Sequence, residues 1–150
     1  MAGGLSILAL LAGAAIAMQA SMNARLGVLL GNSLLGASFA FFSSCLFTLG
    51  ALALGARAYP SAQMVRAVPV HLWLSGALSA FGVAMFYYLI PRMGVGAMMS
   101  YALTGQIVVA VIASHFGWFA LPVRPVDALK LAGVAALISG IVLINWERAA

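Results

Sequence analysis

Charged residues are scarce in this sequence, and acidic ones are scarcer still. Only 6% of its 150 residues are charged, whereas a soluble domain carries about 25%. Asp127 and Glu147 are the two acidic residues, and the seven basic residues stand singly between apolar runs. Because 65% of the residues are hydrophobic, the composition predicts an integral membrane protein. The absence of a basic patch argues against a nucleic-acid partner.

Residues that hold metals or carry out catalysis are also few. Cys45 is the single cysteine, which excludes a disulfide within one chain. No other histidine, cysteine or carboxylate is spaced to share a metal ion with His115. The apolar runs contain neither a Ser/His/Asp set nor paired carboxylates. We therefore predict no metal site, no cofactor, no catalytic residue and no enzymatic activity.

Five apolar runs are long enough to cross a bilayer as helices. They predict an all-α integral membrane protein that forms a single transmembrane domain over residues 1–150. We expect Ser33 to be the N-cap of the second helix and Asp127 that of the fifth, and we expect Pro91 to Gly94 to end the third. The predicted spans are residues 5–30, 34–54, 72–90, 95–114 and 128–146.

A polar segment interrupts the first apolar run, from Gln19 to Gly27. Polar groups at membrane depth are costly, which makes such a segment a candidate functional site. At about 100° per residue, Gln19 and Asn23 lie on one stripe of the helix, whereas Arg25 points about 120° away from Gln19. The alternative is that the helix ends here, with the amides at the headgroups and Arg25 snorkelling to them.

A second amide, Gln106, lies near the middle of the fourth span among small residues. Two amide stripes could face one cavity, or the amides could simply join helices at about 1 kcal/mol per hydrogen bond. Tyr87 and Tyr88 lie in the last turn of the third span, where an aromatic belt is the commoner interpretation. The candidate solute-binding residues are Gln19, Asn23, Gln106, Arg25 and Tyr87.

Small residues recur at seven-residue spacing in the second and fifth spans. Such a series lets membrane helices approach one another closely. We therefore expect close helix contacts along both series, which are Gly36, Ser43 and Gly50 in the second span, and Gly133 and Gly140 in the fifth.

The basic residues do not fix one orientation in the membrane. Five spans place the two ends of the chain on opposite sides. One side holds three basic residues, Arg25, Arg92 and Arg148, and the other holds four, Arg57, Arg66, Arg124 and Lys130. A difference of one is too small to dictate orientation. The pattern predicts insertion both ways and an antiparallel homodimer, which would supply the two inverted halves that many transporters use.

Four features of the sequence together resemble the YdcZ-type family of the drug/metabolite transporter superfamily. They are the Gln19-to-Gly27 motif, the Pro91-Arg92-Met93-Gly94 turn, Gly105-Gln106 followed by His115-Phe116-Gly117, and the run from Gly133 to Ile144.

The resemblance implies an inner-membrane protein whose five helices form half of a ten-helix bundle, completed as an antiparallel dimer. It also implies that Gln19, Asn23, Arg25 and Gln106 are motif positions. Many relatives have an acidic residue where this chain has Ser114, so the resemblance supports no carboxylate role at that position.

The expected function is transport of a neutral or anionic small metabolite by alternating access. The related four-helix multidrug exporters exchange protons for cationic drugs through a membrane-embedded Glu, whereas Asp127 and Glu147 lie at predicted helix ends. Proton-coupled multidrug export is therefore the alternative, together with a scaffold or accessory subunit that transports nothing. The expected partners are the lipid bilayer, a small-molecule substrate and a second copy of the chain.

Overall fold

The computed structural model describes residues 2–55, 59–120 and 122–146, and these residues form helices and no strand. This confirms the all-α prediction. Three charged residues lie outside the described residues, namely Arg57, Glu147 and Arg148. The helices are α1 (Ala2–Leu29), α2 (Ser33–Gly55), α3 (Ala62–Arg66), α4 (Val70–Trp73), α5 (Ser75–Met93), α6 (Val95–Phe116) and α7 (Ala128–Ile144), with a 3₁₀ turn at Trp118–Ala120.

Four helical segments are long and apolar enough to cross a membrane, and they confirm four of the predicted spans. These segments are Gly3–Leu29, Ser33–Gly55, Val70–Met93 and Val95–Phe116. The predicted fifth span corresponds to α7, an apolar helix of 17 residues. At 1.5 Å per residue α7 is about 25 Å long, close to the lower limit for a spanning helix. The count of five spans stays a prediction.

The chain divides into two compact units, Met1–Arg92 and Met93–Ala150. In the first unit α1 packs against α2, and the two helices come closest at Gly27 and Gly36. A Cβ atom added at Gly36 would lie 3.0 Å from the Asn23 carbonyl oxygen and 3.1 Å from the Gly27 Cα atom. The close approach predicted at Gly36 is thus confirmed.

The other glycines of the predicted small-residue series have no such neighbour. A Cβ atom added at Gly50, Gly133 or Gly140 would meet nothing within 4 Å among the described residues. Within the described part of one chain, therefore, the close helix contact is made at the start of α2 and not along its length.

The turn between α1 and α2 differs by one residue from the prediction. Asn32, and not Ser33, caps α2: its side-chain oxygen accepts a hydrogen bond from the Leu34 N–H at 2.8 Å, and its carbonyl accepts from the Gly36 N–H. Gly31 adopts a left-handed φ of 69°, which reverses the chain and leaves Asn32 as the first residue before the helix. Asn is as favourable an N-cap as Ser.

The end of α5 lies within the segment Pro91 to Gly94, as predicted, but the helix extends past the predicted end of the span at residue 90. Pro91 lies inside the helix, which continues to Met93, and Gly94 follows with a φ of 84°. Proline removes one backbone donor but membrane helices tolerate it when neighbouring groups compensate. The helix therefore ends at the glycine, which readily adopts a positive φ, and Arg92 belongs to the last turn of α5.

In the second unit, the loop after α6 folds back onto the end of that helix. The Arg124 N–H donates to the Ser114 carbonyl at 2.9 Å, and the Val126 N–H donates to His115 Nδ1 at 3.1 Å. The Asp127 carboxylate accepts from the Lys130 N–H at 2.7 Å, which confirms Asp127 as the N-cap of α7.

Candidate functional site

Two amides on α1 meet one hydroxyl on α5 within the first unit. Gln19 Nε2 donates a hydrogen bond to the Tyr87 hydroxyl oxygen at 2.7 Å, and Asn23 Nδ2 donates to the same oxygen at 3.1 Å. Gln19 and Asn23 are four residues apart, which places them on one face of a helix. The prediction that they share a face is therefore confirmed. These three side chains are called the amide–tyrosine cluster below.

The amides of the amide–tyrosine cluster lie inside an apolar helix that is long enough to span a membrane. Helix α1 is continuous from Ala2 to Leu29, so the alternative in which the first helix ends at Gln19 is wrong. Gln19 lies ten residues before Leu29, or about 15 Å along the helix axis. That distance is about half the thickness of the hydrocarbon core. Polar groups at this depth must find partners or line a cavity.

Tyr87 is the residue that joins the amides to α5. Its side chain is 2% exposed, whereas the neighbouring Tyr88 is 43% exposed. The aromatic-belt interpretation is therefore wrong for Tyr87, because a belt residue lies at the membrane surface and not against polar groups of another helix.

Arg25 does not take part in the amide–tyrosine cluster. Its side chain is exposed and forms no hydrogen bond or ion pair with any residue that the structure describes. This agrees with the helical arithmetic, which points Arg25 away from both amides.

Gln106 belongs to the second unit, near the middle of α6. Its side chain is exposed and has no hydrogen-bond partner within residues 2–55, 59–120 and 122–146. The idea that Gln106 faces the same cavity as the amides of α1 stays a prediction.

A cleft of about 370 Å³ adjoins the amide–tyrosine cluster in the first unit. It lies where α1 and α5 end and α2 begins, and Tyr87 forms part of its wall. Tyr87 therefore belongs to both the cleft and the cluster, whereas Gln19 and Asn23 do not line the cleft. The residues that line it are Gly27, Val28, Gly31, Asn32, Ser33, Tyr87, Tyr88, Pro91 and Arg92.

Arg92 is the charged side chain of this cleft. Its guanidinium carbon lies 3.5 Å from the centre of the Tyr88 ring, and Nη1 donates to the Tyr88 carbonyl. From the sequence, Arg92 was predicted only to belong to the turn after the third span and to contribute one positive charge to one side of the membrane. The spacing of four residues between Tyr88 and Arg92 was the available signal, since it stacks the two side chains on one helix face.

The polar groups of the cluster have spare hydrogen-bonding capacity. Each amide has two N–H donors and a carbonyl acceptor, and a hydroxyl both donates and accepts. The two hydrogen bonds at Tyr87 use a small part of this capacity. Within the described ranges no three His, Cys, Asp or Glu side chains are grouped to hold a metal ion. The site is therefore suited to hydrogen bonding with a polar solute.

Residues 4–143 match the family model described as "Putative inner membrane exporter, YdcZ". This match covers nearly all of the 150 residues. No curated protein and no solved structure matches the chain significantly.

Proposed function

Because the chain belongs to the YdcZ family and is a multi-pass inner-membrane protein, we propose that it exports a small polar solute and binds it at the amide–tyrosine cluster. One observation carries the proposal. Two amides on α1 converge on a single hydroxyl of α5, between two apolar helical segments of membrane-spanning length.

Simple attachment of α1 to α5 explains this arrangement less well. One amide would suffice to bond the Tyr87 hydroxyl, and hydrogen bonds between membrane helices contribute only about 1 kcal/mol each. A second amide, with unused donors and acceptors beside a cleft, is better explained by a solute that exchanges hydrogen bonds with the cluster. Tyr87, which lines the cleft and bonds both amides, is the residue through which such a solute would reach the cluster.

The chemistry of the site favours a neutral or anionic solute. The first 126 residues contain no Asp or Glu, so the first unit has no carboxylate that could attract a cation or exchange a proton for one. Amide and hydroxyl groups bind neutral polar groups and anions through their N–H and O–H donors. Gln106 is proposed as a further solute-binding amide.

The proposed mechanism is alternating access by an antiparallel homodimer. In one chain the cleft opens at the end where α1 and α5 terminate. A second copy inserted the other way would open an identical cleft on the opposite side of the membrane. Small rocking movements of the two copies would then expose the solute to each side in turn.

A ligand screen with matched variants tests the proposal. The purified protein in nanodiscs of neutral lipid is heated with pools of small polar metabolites, because a solute that binds the folded state raises the melting temperature. We expect saturable stabilisation by one chemical class, and counterflow of that solute in proteoliposomes. Both should be lost in Asn23→Ala and in Tyr87→Phe.

Ser21→Ala is the matched control for these variants. Ser21 lies on α1 between the two amides, but its hydroxyl donates to the Ala17 carbonyl of its own helix. Removing it deletes a polar group at similar depth without touching the amide–tyrosine cluster. Binding and counterflow that survive both Asn23→Ala and Tyr87→Phe in folded protein would rule out this site.

A further inference from the structure

We infer that the cleft beside Tyr87 binds the anionic group of the solute, a carboxylate or a phosphate, and that Arg92 supplies the opposing charge. The inference rests on the proposed function, since it names the chemical class of the solute that reaches the amide–tyrosine cluster. It also assigns the positive charge of the site to Arg92 and not to Arg25.

The first step of the argument concerns the charge of Arg92. No described residue forms an ion pair with it, and the first 126 residues contain no carboxylate. Arg92 is exposed in the last turn of α5, and an arginine near the end of a membrane helix extends its charge to the interface, where an anion can approach it. The first unit therefore contains a cation in a cleft and no anion of its own to neutralise it.

The second step concerns how the guanidinium is held. The Tyr88 ring covers one of its faces, and one N–H is bonded to the Tyr88 carbonyl. A guanidinium has five N–H donors, so most of them remain free for a ligand. Carboxylates and phosphates bind two of these donors side by side. Because the ring and the carbonyl already fix the Arg92 side chain, less of its conformational entropy is lost when a ligand binds.

The start of α2 contributes to the same cleft. Asn32 and Ser33 line the cleft at the start of α2, a helix of 23 residues with no acidic side chain in its first turn. The N-terminus of a helix carries a partial positive charge that favours anions. The C-terminal turns of α1 and α5 also line the cleft and carry the opposite partial charge, so the full charge of Arg92 is the main attraction for an anion.

The third step concerns size and direction. A volume of about 370 Å³ is near the lower end of the range for small-molecule sites, which suits a compact organic anion. Arg92 and Tyr87 both line the cleft, and Arg92 is nearer the end of α5. An anion held at Arg92 can therefore direct the rest of the molecule toward the Tyr87 hydroxyl.

Benzoate, its neutral analogue benzamide and inorganic phosphate are suitable probes. Their affinities are measured from the dependence of the melting temperature on concentration, in nanodiscs of zwitterionic lipid. We expect benzoate or phosphate to bind saturably and benzamide to bind at least about tenfold more weakly, because it lacks the charge-assisted hydrogen bonds.

Arg92→Gln should weaken binding of the anion by about tenfold or more. Arg92→Lys should keep part of the affinity, because it retains the charge but loses the paired donors. Arg25→Gln is the matched control: Arg25 is also an arginine near the end of a helix in the first unit but does not line the cleft, so its removal should leave the affinity unchanged. Partial affinity in Arg92→Lys would show that a loss in Arg92→Gln does not come from unfolding.

Three results would overturn the inference. The first is that neither anion binds the wild-type protein, and the second is that anion binding survives Arg92→Gln. The third is that anionic lipid in the nanodisc blocks the probes in wild-type protein, which would identify a lipid headgroup as the occupant of the cleft. The inference and the proposed function can fail separately. A neutral solute whose binding requires Tyr87 and not Arg92 would overturn the inference and leave the transport proposal intact.

Discussion

Asn23 and Gly36 face each other across the contact between α1 and α2, and a Cβ atom on Gly36 would lie 3.0 Å from the Asn23 carbonyl oxygen. Asn23 also donates to Tyr87 through its side chain. One residue of α1 therefore packs its backbone against α2 and extends its amide to α5. The position of the amide depends on how closely α2 approaches.

Gly36→Ala should destabilise the first unit and disturb the amide–tyrosine cluster. The added methyl group would press on backbone atoms of Asn23 and Gly27, which cannot rotate away as a side chain can. Overpacking of this kind typically costs about 1–3 kcal/mol. Unfolding in SDS or by heat measures the loss. Gly50→Ala is the control, because nothing lies within 4 Å of its added Cβ atom. Equal effects of the two variants would contradict the packing described.

Tyr87→Phe should lower stability by roughly 1–2 kcal/mol, since it removes the shared partner of two interhelical hydrogen bonds. Tyr88→Phe should have almost no effect, because the Tyr88 hydroxyl forms no hydrogen bond with any residue in the described ranges. The two variants remove the same atom from adjacent residues, so the chemical change is matched, whereas Tyr87 is buried and Tyr88 is exposed. A loss in Tyr88→Phe as large as that in Tyr87→Phe would refute the assignment.

The hydrogen bond between Asn23 and Tyr87 also predicts non-additive effects. Asn23→Ala should cost less stability in a Tyr87→Phe background than in the wild-type protein, because its partner oxygen is already missing. Ser21→Ala, whose hydroxyl bonds within α1, should cost the same in both backgrounds. Four free energies of unfolding complete each cycle. Fully additive losses for Asn23 and Tyr87 would show that the two side chains do not interact.

The sequence was sufficient to predict the helices and the shared orientation of Gln19 and Asn23 on α1. Apolar runs determine where helices can cross the membrane, and the spacing of Gln19 and Asn23 determines that they point the same way. The sequence could not distinguish Tyr87 from Tyr88, because adjacent residues point about 100° apart and no local signal tells which side of α5 meets α1.

The role of Arg92 was missed for a related reason. The predicted third span stops at residue 90, with Pro91 to Gly94 ending the helix, and a residue beyond that end would belong to a turn. The structure ends α5 at Gly94 instead, so Arg92 stacks on Tyr88 one turn earlier in the same helix. Local propensity could not settle this boundary, since proline in the last turn of a membrane helix and proline after it have the same sequence pattern.

Asn32→Ala should cost about 1 kcal/mol through loss of the N-cap of α2. Ser33→Ala should be nearly neutral by the same measurement, because Ser33 is the first helical residue and its side chain does not cap the helix. The comparison uses the midpoint of SDS or thermal unfolding. A larger loss for Ser33→Ala would restore the assignment made from sequence alone.

Labelling of the chain terminus tests the proposed antiparallel dimer. A cysteine placed after Ala150, in a Cys45→Ala background, is exposed in native membranes to an impermeant thiol reagent applied first from one side and then from the other. We expect about equal labelling from both sides, because the number of basic residues differs by one between the two sides and this bias is too weak to select an orientation.

Adding two lysines after Ala150 should shift the labelling strongly to one side and reduce counterflow of the solute, since fewer antiparallel pairs could form. Labelling from one side alone in the protein without added lysines would exclude the antiparallel homodimer, and the second half of the transporter would then have to come from a different, oppositely oriented chain.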